Sequence, residues 1–353
     1  MAGRQGRTVV VTGASAGVGR AVAVEFARRG WNVALIARGE KGLRGAVCAV
    51  EQAGGRPLAF AADVADAGAV AQAADETVER FGGIDVWINS AMVTVYAPVH
   101  QMTAQEFQRV TDVTYLGQVH GTMAALAHMR PRDAGTIVHI GSALAYRSIP
   151  LQSAYCAGKA AVRGFVDSLR TELLHDRSRV RVTTVHLPAV NTPQFDWARS
   201  TLPRRPEPVP PIFQPEAIAR HVYRAAQDAP RELWIGASAW QAILGNMLSP
   251  GLIDRYLGRY GYQDEMTSRA AIRGRADNLD EPVDSDPGAH GRFDARASDR
   301  VVAVDPVWLR AGAAVALGAL AGAAFAAGGS EQAQRLRRVE RASSARGSSN
   351  PSP

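Results

Sequence analysis

Tyr155 and Lys159 stand four residues apart in the run Tyr155-Cys156-Ala157-Gly158-Lys159. On a helix that spacing puts a phenol and an ammonium on one face. A free tyrosine has a pKa of about 10, and a fixed positive charge nearby favours the phenolate and lowers that value. Such a phenol can exchange a proton with an alcohol or carbonyl oxygen near neutral pH. A second donor is needed to polarise the carbonyl and hold the developing oxyanion. Ser142 lies just beyond a predicted strand, where the ligand sites of α/β sheets gather. Alone, a Tyr and a Lys at this spacing are two polar residues on a solvated helix face. With Ser142 and a glycine loop they read as a proton donor and its tuner.

That loop is Thr12-Gly13-Ala14-Ser15-Ala16-Gly17-Val18-Gly19, between a predicted first strand and first helix. Glycine lets the chain turn tightly and lets backbone approach a pyrophosphate. The helix that opens there aims unpaired N–H groups and a positive dipole end at the phosphates. The end of the second strand separates the two nicotinamide cofactors, because an acid there would bond the ribose hydroxyls of NAD. Here the run is Ile36-Ala37-Arg38. Ala37 removes the acid, and the planar fork of Arg38 can pair with a 2′-phosphate. NADP(H) is therefore the expected cofactor, ahead of NAD(H).

The elements that must hold these groups alternate along the chain. Val9–Val11, Val33–Ile36, Leu58–Phe60, Ile84–Ile88, Ile137–Ile140, Val182–Val185 and Leu233–Ile235 read as strands. Their near-continuous apolarity suits a sheet covered on both faces. Helical stretches lie near 18–29, 40–53, 67–81, 103–129 and 152–176. The β-α-β-α order predicts an α/β fold with a doubly wound parallel sheet of Rossmann type, about seven strands, and a C-terminal extension.

With these motifs in this order, residues 5–240 resemble the short-chain dehydrogenase/reductase family. The resemblance rests on Thr12-Gly13-x-x-x-Gly17-x-Gly19, Asp63-Val64, Asn89-Ser90-Ala91, Ser142, Tyr155-x-x-x-Lys159 and Pro188-x-x-x-Thr192. It implies that Ser142 and Tyr155 contact the substrate oxygen, and that Lys159 binds the nicotinamide ribose and tunes Tyr155. It also implies Asp63 on the adenine and Asn89 on the adenosine ribose side, with Thr192 on the carboxamide. Gly13, Ser15, Ala16, Gly17, Val18, Gly19, Arg38, Val64, Ser90, Ala91, Pro188 and Val190 complete the expected dinucleotide contacts. The family's members are usually dimers or tetramers, so a homo-oligomer is expected. The sequence departs from the family at Met92, where a glycine is usual, and at Ala189. A third departure is Thr114, where an Asn is thought to hold a water linking the Lys to solvent, so an altered proton relay is expected.

Eight prolines between Pro188 and Pro215 are interspersed with Phe195, Trp197 and Phe213. They predict an irregular loop over 188–215 that covers the substrate. Val93, Val95, Tyr96, Leu144, Tyr146, Phe195 and Trp197 are candidates for an apolar pocket. The catalytic domain is expected to end near residue 262. Residues 263–305, rich in Asp, Arg, Gly and Pro, read as a polar linker or extended tail, and 306–353 as an Ala/Gly-rich helix and basic tail. Residues 311–329 carry no charge and contain the small-xxx-small run Gly318–Gly322, so membrane association is one expectation for the tail.

The net charge of +7 is partly local, since Arg335, Arg337, Arg338, Arg341 and Arg346 face only Glu331 and Glu340. No basic face with interleaved aromatics appears, which excludes nucleic acid as the expected partner. The two cysteines, Cys48 and Cys156, form neither a disulfide framework nor a metal-ligand pair. No metal and a reducing, cytoplasmic compartment are expected. The small-molecule partner is a carbonyl or alcohol. A second reading keeps the fold as a silent NADP(H)-binding sensor or scaffold; the presence of Ser142, Tyr155 and Lys159 together favours the enzyme.

Overall fold

Val9 and Val11 pack into one apolar core and Val10 into another, so the first strand is covered on both faces. That is the mark of a parallel sheet between helical layers. The computed structural model describes residues 6–308 apart from Arg273, together with Gly312. The chain divides into two compact units, Met1–Val304 and Asp305–Pro353.

In the first unit the order begins β1 (Thr8–Thr12), α1 (Gly17–Ala27), β2 (Asn32–Ala37), α2 (Glu40–Gln52), β3 (Arg56–Ala61), α3 (Ala67–Phe81) and β4 (Val86–Asn89). The short β5 (Val95–Tyr96), α4 (Ala104–Thr111) and α5 (Gly117–Met129) follow, then β6 (Gly135–Ser142), α6 (Ser153–His175) and β7 (Val180–Leu187). Next come β8 (Ala189–Val190), α7 (Gln194–Trp197), β9 (Arg199–Ser200), β10 (Arg204–Pro206), β11 (Ile212–Phe213) and α8 (Pro215–Asp228). The unit ends with β12 (Glu232–Ile235), α9 (Ala237–Leu248), β13 (Met266–Ala270), β14 (Ala297–Ser298) and β15 (Ala303–Val304).

Seven parallel strands form the main sheet in the order β12-β7-β6-β4-β1-β2-β3, as expected. An eighth, β15, pairs antiparallel on the outer edge of β12. One core joins α1, α2 and α8 to one face through Phe26, Leu43, Ile218 and Val222. The other joins α3, α5 and α6 to the opposite face through Val70, Ala125, Val162 and Val166.

Three expectations change. The stretch 103–129 is not one regular helix: α4 and α5 are joined by a π turn over Asp112–Leu116, a feature frequent at functional sites. The proline-rich stretch 188–215 does hold regular pieces, because its strands pair with partners far along the chain. β8 and β14 flank β11, and β10 pairs with β13. The third change is 263–305, which is no free linker. Its β13, β14 and β15 all join sheets of the first unit, and Leu279 and Phe293 are buried.

In the second unit only residues 305–308 and Gly312 are described. Among the described residues no helix is long and apolar enough to cross a membrane. The expected Ala/Gly-rich helix over 311–329, Gly312 apart, and the arginines beyond it lie outside the described residues.

Candidate active site

The cavity at the C-terminal ends of β1, β2, β4, β6 and β7 has a volume of ≈ 500 Å³. At its cofactor end the chain leaves β1 through Gly13, whose φ is +68°. A Cβ on Gly13 would lie 2.7 Å from the Ala91 Cα, so the close approach of the loops after β1 and β4 requires glycine. Thr12 holds those loops together, its Oγ1 accepting from the amides of Ser90 at 3.0 Å and Ala91 at 3.3 Å. Gly13, Ser15, Ala16, Gly17, Val18, Gly19, Arg38, Asp63, Val64, Ser90 and Ala91 all line the cavity, as do Met92, Pro188, Val190 and Thr192.

Asn89 does not. Its side chain is turned into the interior, where Oδ1 accepts from the Trp87 indole at 2.9 Å and Nδ2 donates to Thr122 at 3.1 Å. The expected contact with the adenosine ribose side is thus not made by this side chain here. Asp63 accepts from the Ala65 amide at 2.9 Å and is ion-paired to Arg109.

At the other end, β6 delivers Ser142 and the first turn of α6 delivers Tyr155. Ser142 and Tyr155 both line the cavity; the Ser142 hydroxyl accepts from the Leu144 amide at 3.1 Å and acts on the Tyr155 phenol. Lys159 is 2% exposed, and its Nζ donates to the Ile140 carbonyl at 2.7 Å. It lies 5.6 Å from the centre of the Tyr155 ring. Burial pushes the Tyr155 phenol well above the usual tyrosine range, against a smaller opposing effect of the Ser142 hydroxyl. Burial also pushes Lys159 down to about 7. The expected lowering of Tyr155 by Lys159 is therefore not what this structure shows, because both groups are taken out of water and desolvation opposes either charge.

Thr114 sits on the π turn and faces Gly158 of α6. Its Oγ1 donates to the Val93 carbonyl at 2.9 Å and accepts from the Val93 amide at 3.1 Å. Both bonds pin the segment after β4, so the hydroxyl serves the backbone. Behind Lys159 runs a buried polar chain. His139 Nδ1 donates to Gln118 Oε1 at 2.9 Å, and His139 Nε2 lies 3.3 Å from the Thr122 hydroxyl. Burial takes His139 down to about 3.

Val93, Tyr96, Leu144, Phe195 and Trp197 line the substrate end, as do Pro208, Val209 and Pro210 from the proline-rich stretch. Val95 is buried in β5 outside the cavity lining. Tyr146 also stands outside it. Its hydroxyl donates to Glu232 at 2.6 Å, and its ring packs edge-on against His186 and Trp234.

Two polar residues of the substrate end escape sequence reasoning, Gln152 and Glu265. Glu265 is 2% exposed, accepts from Gln152 Nε2 at 2.8 Å, and lines the cavity. Burial pushes its carboxyl up to about 8. It is carried there by the antiparallel pairing of β13 with β10, a long-range contact between two polar segments that local pattern does not disclose.

The sequence pattern of the short chain dehydrogenases matches residues 7–202. The uncharacterized oxidoreductase YxnA of Bacillus subtilis is 31% identical over 265 residues, which cover 74% of this chain and 74% of that protein. An alcohol dehydrogenase from the archaeon Thermococcus sibiricus, complexed with 5-hydroxy-NADP, aligns with a TM-score of 0.55 at 26% identity. That alignment covers 65% of this chain and 96% of the other. A short chain dehydrogenase from Mycobacterium paratuberculosis, bound to NAD, aligns with a TM-score of 0.57 at 26% identity, over 64% of this chain and 93% of the other. Similar chains thus hold either nicotinamide cofactor. By the match of residues 7–202 to that pattern and its likeness to these relatives, this chain is an oxidoreductase that belongs to the short chain dehydrogenase family.

Proposed function

We propose that the chain interconverts an alcohol and a carbonyl by hydride transfer with NADP(H), with Tyr155 as the acid/base. The observation that carries this reading is that Ser142, Tyr155 and Lys159 line one end of a cavity whose other end is the glycine loop. The residues present fit a dinucleotide: a glycine turn that leaves room for a pyrophosphate, and Arg38 and Asp63 at the adenosine end. Bound there, the cofactor supplies the hydride. Tyr155 gives its proton to the carbonyl oxygen as reduction proceeds, and Ser142 donates a hydrogen bond to the same oxygen. Lys159, cationic below about pH 7, draws the phenol toward releasing its proton and holds the cofactor ribose.

The substrate is proposed to be largely apolar, since Val93, Leu144, Phe195 and Trp197 form that end of the cavity. Gln152 and a neutral Glu265 can bond one further polar group on it. As in its family, the chain is proposed to assemble as a dimer or tetramer and to work in the cytoplasm, where NADP(H) is available. NADPH oxidation over a panel of ketones and aldehydes tests the reading. Tight dinucleotide binding with no turnover of any carbonyl would move it to a sensor.

Arg38 is proposed to set the cofactor choice. Native enzyme is expected to show a higher kcat/KM with NADPH than with NADH. Arg38→Ala should lower the NADPH value by about tenfold or more, the worth of a charge-assisted bond, and leave NADH within a few-fold. A native ratio at or below unity overturns the NADP preference.

Glu265 yields a separate expectation about stability. Its folded pKa is raised to about 8 from an ordinary value near 4. The folded state therefore holds the extra proton between those values, and stability falls as pH rises through that window. Glu265→Gln should be more stable than the native chain at pH 8, by up to about 5 kcal/mol, and nearly equal to it at pH 4.5. Denaturant unfolding at the two pH values reads this directly, and a constant difference would remove the buried-carboxyl assignment.

A further inference from the structure

Residues 277–288 cross the adenosine end of the cavity as a strap. Asn278, Pro282, Val283, Ser285 and Pro287 line the cavity from outside. The strap is anchored at both ends and in the middle. Asp277 and Asp280 pair with Arg199 at 3.0 and 2.7 Å. Leu279 is wholly buried, in the core that contains Val64 and Val113. Asp284 pairs with Lys41 at 2.7 Å, and Asp286 pairs with Arg20. At the far end the Gly288 carbonyl accepts from the Gly17 amide at 3.1 Å, at the start of α1. Gly39, just before α2, makes room for it, an added Cβ there coming to 3.2 Å of Pro282.

The centre of this arrangement is Arg38. Its guanidinium donates to three successive strap carbonyls, those of Asn278 at 2.5 Å, Leu279 at 3.2 Å and Asp280 at 2.8 Å. Arg109 donates to the Leu279 carbonyl as well, at 3.1 Å. Asp63 stands 4.0 Å from Arg38, and Asp280 and Glu281 also act on its charge. A 2′-phosphate brought to the same guanidinium would meet three carbonyl oxygens and these carboxylates, which repel a dianion in a partly buried site.

We propose that the strap and the 2′-phosphate of NADP(H) compete for Arg38, so that residues 277–288 set how strongly the enzyme distinguishes NADP(H) from NAD(H). With the strap latched, a dinucleotide lacking the 2′-phosphate is accepted without displacing it. NADP(H) must unlatch the strap first, and its apparent affinity is reduced by the fraction of chains in which Arg38 is free. The proposal rests on the dinucleotide reading above and adds the group that limits it.

The test uses the full chain and three proteins: native, Leu279→Ala and Asp286→Asn. Leu279→Ala loosens the strap without changing charge. Asp286→Asn removes only the tie to Arg20, and serves if the first substitution disturbs folding. The affinities for NADPH and NADH are measured by titrating the fluorescence of the reduced nicotinamide. Either variant is expected to bind NADPH about tenfold more tightly, with NADH changed by less than about threefold. Amide hydrogen exchange over 277–288 in the native chain should speed up with NADPH and slow or stay constant with NADH. Weaker NADPH binding in both variants, or protection of the strap by NADPH, overturns the proposal by making the strap part of the NADP site. Failure of either dinucleotide to bind any of the three proteins overturns the dinucleotide reading instead, and the competition with it.

Discussion

Tyr155→Phe is expected to lower carbonyl reduction by about 10²- to 10⁴-fold, the usual contribution of a positioned general acid, with dinucleotide affinity unchanged. The substitution removes one oxygen from a ring that otherwise packs with the core on the α6 side of the sheet. The fold should therefore persist, and the loss should fall on kcat. The direction of the Tyr155 shift makes a second reading of the same experiment possible. Burial holds the phenol protonated well above neutral pH, so it is a competent donor for reduction across the ordinary range. Oxidation needs the phenol to lose that proton, so alcohol oxidation by the native enzyme should rise with pH through the alkaline range. In Tyr155→Phe that rise should vanish together with the reductive rate. Reduction that proceeds at the native rate without the phenol would leave the site with no acid, because Ser142 is the only other hydroxyl assigned to the substrate oxygen.

The parts of this site that could be read from sequence are those that local geometry fixes. Tyr155 and Lys159 share a face because any helix puts i and i+4 together. The glycine loop announces itself because the turn between β1 and α1 has no space for a side chain at Gly13. That the strands run parallel follows from apolar runs alternating with helices, since each helix carries the chain back to start the next strand in the same direction. All of these are decided within a few turns of chain.

What sequence reasoning missed is decided by partners far away. Nothing about Asn89 itself says whether its amide faces a ribose or an indole; Trp87 and Thr122 settle that. Tyr146 reads as a pocket aromatic until Glu232, from another strand, takes its hydroxyl. Residues 263–305 have the composition of a tail, because few of them are large and apolar. Yet one leucine, one phenylalanine and a series of Asp–Arg pairs are enough to dock them, since Leu279 and Phe293 each find an existing core or cluster. The same segment supplies Glu265 to the substrate end and carbonyls to Arg38. Arg38 at the end of β2 is thus legible in the sequence, while the chain that occupies it is not.

Lys159→Met is expected to make the protein both inactive and more stable, and the combination is what separates a functional ammonium from a structural one. Lys159 is buried and its ammonium donates to a neutral carbonyl, that of Ile140. That carbonyl is also approached by Gln118 Nε2 at 3.4 Å, so removal of the ammonium does not strip it of donors. The native chain therefore carries an ionisable group where water has been withdrawn and no counter-charge is bonded to it. Its pKa of about 7 lies below the value of about 10.4 in an unfolded chain. Between those values the unfolded state holds the extra proton, so stability rises with pH across that window and levels off below about 7. The advantage of Lys159→Met should be largest at pH 7 and below, of order a few kcal/mol, and should shrink toward pH 10. Activity should fall by about 10²-fold or more, because the phenol loses the cation that favours its ionised form. In the native enzyme the same titration should appear as a fall in kcat/KM for reduction as pH rises through about 7, since only the protonated lysine assists. Denaturant unfolding at pH 7 and pH 10 and a pH–rate profile measure both effects. A variant less stable than the native chain at pH 7 would mean that Lys159 is held by a structural interaction, and its burial would no longer point to catalysis.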